Sequence, residues 1–143
     1  QGWSTSVIFS YPNDSPIALC MADTRDTGLA LDPKHDRDGL LTAVISHEAT
    51  GELLMVGHMN DEAFRRTRES GVVHFWSRSR AKLWRKGEES GNELHVAEIR
   101  IDCDQDALWV KARPLGPTCH TGRVSCFYRR VSGDGLEPVE GCA

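Results

Sequence analysis

A chain of 143 residues, 39% hydrophobic and 27% charged, is sized for one domain and composed neither like a disordered segment nor like a membrane protein. Its 17 Lys+Arg against 21 Asp+Glu give a formal charge of -4, which argues against a bulk nucleic-acid binder. No apolar run approaches the ~20 residues of a membrane-spanning helix, and no secretory signal is recognisable, so no membrane partner and a cytoplasmic setting are expected.

Residues 1–38 read as an irregular N-terminal segment, because Pro12, Pro16 and Pro33 interrupt any periodicity. Gln1 is not a natural start and Met21 is a candidate one, so residues 1–20 are expected to be added or alternative sequence. The domain proper is expected over 39–131. It opens with a hairpin: Leu40 to Ser46, a turn over residues 47–51, then Leu53 to Val56. Asn60 is a candidate N-cap with Asp61 and Glu62 in the first turn, and Gly71 a stop, which predicts a short helix to about Glu69. Val72 to Trp76 is the next strand. Residues 77–92 lack periodicity and read as a long, basic, Gly-punctuated loop. Leu94 to Ile101 alternates with a slipped phase, which a bulge near Ala97–Glu98 reconciles. Ala107 to Arg113 places Leu108, Val110 and Ala112 on one face. A Pro/Gly loop covers 114–126, Phe127 to Val131 forms a last strand, and 132–143 are expected to be a flexible tail.

Three segments carry chemistry. The first is Asp102-Cys103-Asp104-Gln105-Asp106. In an extended backbone its three carboxylates share a face and suit a hard cation such as Mg²⁺, with Cys103 opposite; the alternative is an acidic surface turn. The second is Gly116 to Cys126, where Cys119 and Cys126 bracket His120. With Cys103 they give the spacing C-x15-C-x6-C. Three thiolates leave a tetrahedral zinc one position for water, and His120 would move protons beside it; three small buried side chains is the other reading. The third is 77–92, whose Ser79, Arg80 and Lys86 suit phosphates and whose Trp84 suits a ring, unless it is only a solvated charged loop. The five cysteines are odd in number, which fits a disulfide framework poorly. Cys20 and Cys142 receive no role.

Together, FWSRSRAKLWRKGEESGN, DCDQD and GPTCHTGRVSC, with GLLTAVIS and LLMVGHMNDEAF upstream, closely resemble the phosphoribosyl-AMP cyclohydrolase family of histidine biosynthesis. The resemblance covers residues 39–129. It implies an α+β, mainly β domain, a compact pseudo-barrel-like mixed sheet with one or two short helices, acting as an obligate homodimer. It implies one Zn²⁺ per subunit held across the dimer, by Cys103 of one chain and by Cys119 and Cys126 of the other. It further implies Mg²⁺ at Asp102, Asp104 and Asp106. The implied reaction is zinc-dependent hydrolysis of the N1–C6 bond in the adenine ring of phosphoribosyl-AMP. His58 stands where a larger aromatic residue is expected.

Two rivals remain at this level. Nucleobase deaminases, also zinc amidohydrolases, carry H-x-E with P-C-x-x-C, and neither occurs here. A non-enzymatic zinc module needs a fourth ligand, for which Cys142 is the remaining candidate. A P-loop hydrolase is excluded for want of G-x-x-x-x-G-K-[ST].

Overall fold

Leu41, Ala43 and Ile45 alternate along one strand and are fully buried on one face, which fixes that strand as the floor of the core. The structure, a computed structural model, describes residues 24–139; Cys20, Cys142 and the segment 1–20 lie outside them. The elements in order are α1 (Thr24–Thr27), β1 (Leu41–His47), β2 (Leu53–Met59), α2 (Asp61–Ser70), β3 (His74–Ser77), β4 (Lys82–Arg85), β5 (Leu94–Ile101), β6 (Ala107–Pro114), β7 (Arg129–Ser132) and β8 (Gly135–Pro138).

Four strands form a mixed sheet in the order β2-β1-β6-β5. The central pair, β1 with β6, is parallel, and the two outer pairs are antiparallel. The ribbons β3–β4 and β7–β8 stand apart from it. Among the described residues the chain is therefore mainly β with two helices, as expected. The described strands do not close into a barrel, because no ladder joins the β2 edge to the β5 edge.

Local signals account for most boundaries. Asn60 Oδ1 accepts from the Ala63 amide at 2.9 Å and starts α2; Gly71, at φ 73°, ends it with its amide donating to Thr67 O. The parity slip in β5 is a bulge between Val96 and Glu98. Elsewhere the expectations change. The loop 77–92 contains β4, which pairs with β3 through a tight turn at Ala81, φ 46°. Four residues are too few to display periodicity. Residues 132–138 form a hairpin with β7, which starts at Arg129 rather than Phe127. Every residue of that hairpin is exposed, so no burial pattern marks it in the sequence.

Helix α2 lays Ala63, Phe64 and Thr67 on the inner sheet face. Phe75 and Trp84 of the β3–β4 ribbon join them, their rings 5.2 Å apart. Each large side chain buried this way contributes about 1.5–3 kcal/mol. The outer face differs: Val56, Val44 and Trp109 form one cross-strand row, and Val56 and Trp109 remain 42% and 40% exposed.

Candidate active site

Two loops meet beside β2. Gly87, at φ 89°, turns the chain directly after Lys86; a Cβ there would stand 2.6 Å from the Glu93 nitrogen. The Gly91 amide then donates to Gly87 O at 2.8 Å, closing a small Gly loop. Gly116 lies so close to the Asn92 side chain that a Cβ would collide with its Oδ1, and the Leu115 amide donates to Glu93 O at 3.0 Å. The second loop is stapled to β2: Ser125 Oγ donates to Leu53 O at 2.5 Å and the Cys126 amide to Leu54 O at 2.8 Å. Within it, the Cys119 amide donates to Arg123 O and the Gly122 amide to Cys119 O, both at 3.0 Å.

The cleft between these loops has a volume of about 420 Å³ and gathers Arg80, Trp84, Lys86, Cys119, His120 and Cys126. Six side chains singled out in two separate stretches of sequence thus share one cavity. Ser79 is the exception. It sits exposed in the β3–β4 turn, its Oγ 3.4 Å from Ser77 Oγ, and does not line the cleft. Arg80 is exposed, with its guanidinium 6.0 Å from the Trp84 ring centroid.

The two thiols differ electrostatically. At Cys119 burial raises the pKa, but the hydroxyl and amide of Thr121, the Cys126 thiol and the Lys86 charge outweigh it, leaving the group below the ordinary thiol value. Cys126 is exposed as a residue, yet loss of water around its sulfur and the neighbouring Cys119 push it up to about 11. Lys86 is buried, which lowers its pKa, while both thiols pull it back up. Lys86, a candidate for phosphate, lies close enough to feel both sulfurs, and its Nζ donates to Asn92 O at 3.5 Å. His120 is exposed at the cleft. Paired soft donors with one low-lying thiol and a nearby cation suit zinc.

The acidic segment is not extended. It is the β5–β6 turn, in which Asp102 Oδ1 accepts from the amides of Asp106 at 3.0 Å and Ala107 at 3.1 Å. Gln105 takes a left-handed φ of 58°, and this reversal brings Asp102, Asp104 and Asp106 together, their ligand oxygens within 4.8 Å of one another. At Asp102 burial raises the pKa, but the Ala107 amide, both Asp106 groups and the Asp104 side chain hold it below the ordinary carboxylate value. Asp106, hydrogen-bonded to Asp102 and Asp104, is raised to about 6. Three carboxylates crowded enough to raise the pKa of one of them fit a divalent cation, whose charge relieves the repulsion.

Cys103 does not join the other two cysteines. It is exposed, beside a hollow of about 340 Å³ between the acidic turn and residues 25–31. Strand β6, eight residues long, intervenes between Cys103 and Cys119; at ~3.3 Å per residue it spans roughly 25 Å. Among the described residues, the aspartates are the only group of three converging metal-ligand side chains. Two cleft residues escape the sequence reading. Asn92 joins the two loops, and Thr118 is 2% exposed with a hydroxyl that has no hydrogen-bond partner. Only their adjacency to Gly91 and Cys119 hints at them. A larger hollow of about 530 Å³ on the outer sheet face, by Val44, Leu53 and Trp109, is mostly apolar and carries none of the cysteines or histidines.

The phosphoribosyl-AMP cyclohydrolase family profile matches residues 55–128, which include the whole cleft and the acidic turn. A phosphoribosyl-AMP cyclohydrolase of Rhizorhabdus wittichii is 56% identical over 115 residues, covering 80% of this chain and 93% of the relative. One from Brucella anthropi is 58% identical over 121 residues, 81% and 86% respectively. One from Sphingopyxis alaskensis is 56% identical over 115 residues, 80% and 91%. With a matching profile over half its length and relatives this similar over four-fifths of it, the chain belongs to the phosphoribosyl-AMP cyclohydrolase family.

Proposed function

We propose that the chain hydrolyses the N1–C6 bond of phosphoribosyl-AMP, opening its adenine ring in histidine biosynthesis. The observation that carries this is the cleft that gathers Cys119, His120, Cys126, Lys86, Trp84 and Arg80 in a chain of this family. Zinc would be held by Cys119 and Cys126 of one chain and by Cys103 of a second. The chemistry a zinc ion supplies when bound is a water acidified to a pKa of about 7, a nucleophile available at neutral pH. Asp102, Asp104 and Asp106 would hold magnesium.

The remaining roles fall to the chain's own groups. Lys86 stabilises the two sulfurs as thiolates from the cleft floor. His120, at the mouth, passes a proton to the departing ring nitrogen. Trp84 packs on a ring of the substrate, and Arg80, with Ser79 beside it at the rim, meets a phosphate.

The homodimer rests on two features. Strand β6 separates Cys103 from the other two cysteines, so a three-thiolate site needs a second copy. The outer sheet face also offers a half-exposed apolar row at Val56, Val44 and Trp109, the kind of surface a subunit contact covers.

The test is turnover of phosphoribosyl-AMP followed by ultraviolet absorbance, with and without a zinc chelator. Ring opening that the chelator stops and added zinc restores is expected. Failure of the zinc-loaded chain to change the absorbance overturns the reading.

A further inference from the structure

Gln105 lies between two of the converging aspartates, yet it is turned away from them and is 4% exposed. Its side-chain amide is fully used. Nε2 donates to Arg25 O at 3.0 Å and to Ala30 O at 3.1 Å, and Oε1 accepts from the Asp32 amide at 2.8 Å. Its backbone is used as well: Gln105 O accepts from the Lys34 amide at 2.7 Å, and its own amide donates to Asp102 O at 3.1 Å. Residues 25–32 are closed around this amide by Arg25, whose Nη2 meets Asp32 Oδ2 at 2.7 Å and whose Nε donates to Asp32 O at 2.9 Å. A segment with little regular structure is therefore fastened to the acidic turn at four backbone points, all supplied by one residue.

We infer that Gln105 is a positioning residue: its amide clamps residues 25–34 onto the Asp102–Asp106 turn, so that docking of this segment and cation binding at the aspartates are one linked event. The inference rests on the reading that the three aspartates hold a cation. The left-handed backbone of Gln105 aims the carboxylates at one point and the amide at the segment; neither arrangement shifts without the other. Linkage of this kind is reciprocal. If docked residues 25–34 favour the cation-ready turn, the cation favours docking to the same extent. The hollow beside Cys103 is walled by the same segment, so the clamp also sets the surroundings of that thiol.

The experiment uses the full chain and Mn²⁺ as the probe, with calorimetric affinity and amide hydrogen exchange as readouts. In the wild type, Mn²⁺ should slow exchange at the Asp32 and Lys34 amides. Gln105→Gly removes the three side-chain bonds of the clamp while easing the left-handed backbone. It should bind Mn²⁺ about tenfold more weakly and exchange rapidly at the Asp32 amide, which the side chain alone holds, with or without the ion. Arg25→Ala removes the Asp32 bonds that close the segment while keeping every residue of the turn, and should weaken Mn²⁺ in the same direction, by less. Wild-type affinity in both variants overturns the inference, as does Mn²⁺ binding to the wild type with no change in exchange. If the wild type binds no Mn²⁺, the cation reading and the linkage fall together, whereas loss of turnover with Mn²⁺ linkage intact would strike only the proposed reaction.

Discussion

Thr121 Oγ1 donates a hydrogen bond to Cys119 Sγ across 3.0 Å, from two residues further along the same loop. The sulfur that most favours its charged form is thus held by its own loop. Cys119→Ala should release zinc and abolish turnover, read by metal quantitation after gel filtration. Stoichiometric zinc with full turnover in the variant would reject the ligand assignment.

His120 sits between the two loop cysteines without being one of the proposed ligands. His120→Asn should keep zinc while kcat falls by about 10²–10⁴-fold, the usual range for a lost general acid or base. The pH–rate profile should lose one limb; an unchanged profile removes the proton-transfer role.

Because β6 parts the cysteines, two defects in different chains should complement each other. Cys103→Ala and Cys119→Ala would each be inactive alone. Co-expressed, half of randomly paired dimers are mixed and carry one intact site of two, which restores about a quarter of wild-type activity. Mixed dimers with no activity would place all three cysteines in a single chain's site or outside it altogether.

Asp36 provides a pH-dependent contribution away from the site. The Leu40 amide, with that of Asp38, donates to its Oδ1 and holds its pKa below the usual 3.8. A carboxylate lowered in the folded chain adds stability above its unfolded pKa and loses it as pH falls through the folded value. The stability gap between wild type and Asp36→Asn should therefore be constant near neutrality and shrink in acid below 3.8. Urea titrations across that range check it; a gap that widens in acid contradicts the assignment.

Gly87→Ala should destabilise the chain by about 1–3 kcal/mol, the ordinary cost of forcing atoms into filled space. It should also raise KM, since the same turn carries Trp84 and Lys86 into the cleft. Unfolding by urea and steady-state kinetics report the two effects separately, and a neutral variant would show that the Glu93 backbone can retreat.

Much of this molecule was legible where local chemistry decides the outcome. Asn60 and Gly71 bracket α2 because a cap and a left-handed residue act within one turn of helix. The bulge at Ala97 was readable because a parity slip has few other remedies. The cleft was legible through its motifs, apart from Ser79. What stayed hidden depends on partners far along the chain. The polar strand Lys82–Arg85 is defined only by its pairing with β3. The hairpin β7–β8 buries nothing. Alternation of Asp102, Asp104 and Asp106 suggested a strand, but their convergence comes from the reversal at Gln105, whose reason is a segment more than seventy positions away.

The parallel union of β1 with β6 sets an order of events for the chain as it is made. Thr42 finds Ala107 only after β2, α2, the β3–β4 ribbon and β5 have all been synthesised. The β1–β2 hairpin and α2 can form early from near neighbours, but the seam through the middle of the core must wait for β6. Until β6 emerges, the apolar inner side of β1 has an open edge, where a nascent chain is most exposed to wrong pairing with its neighbours.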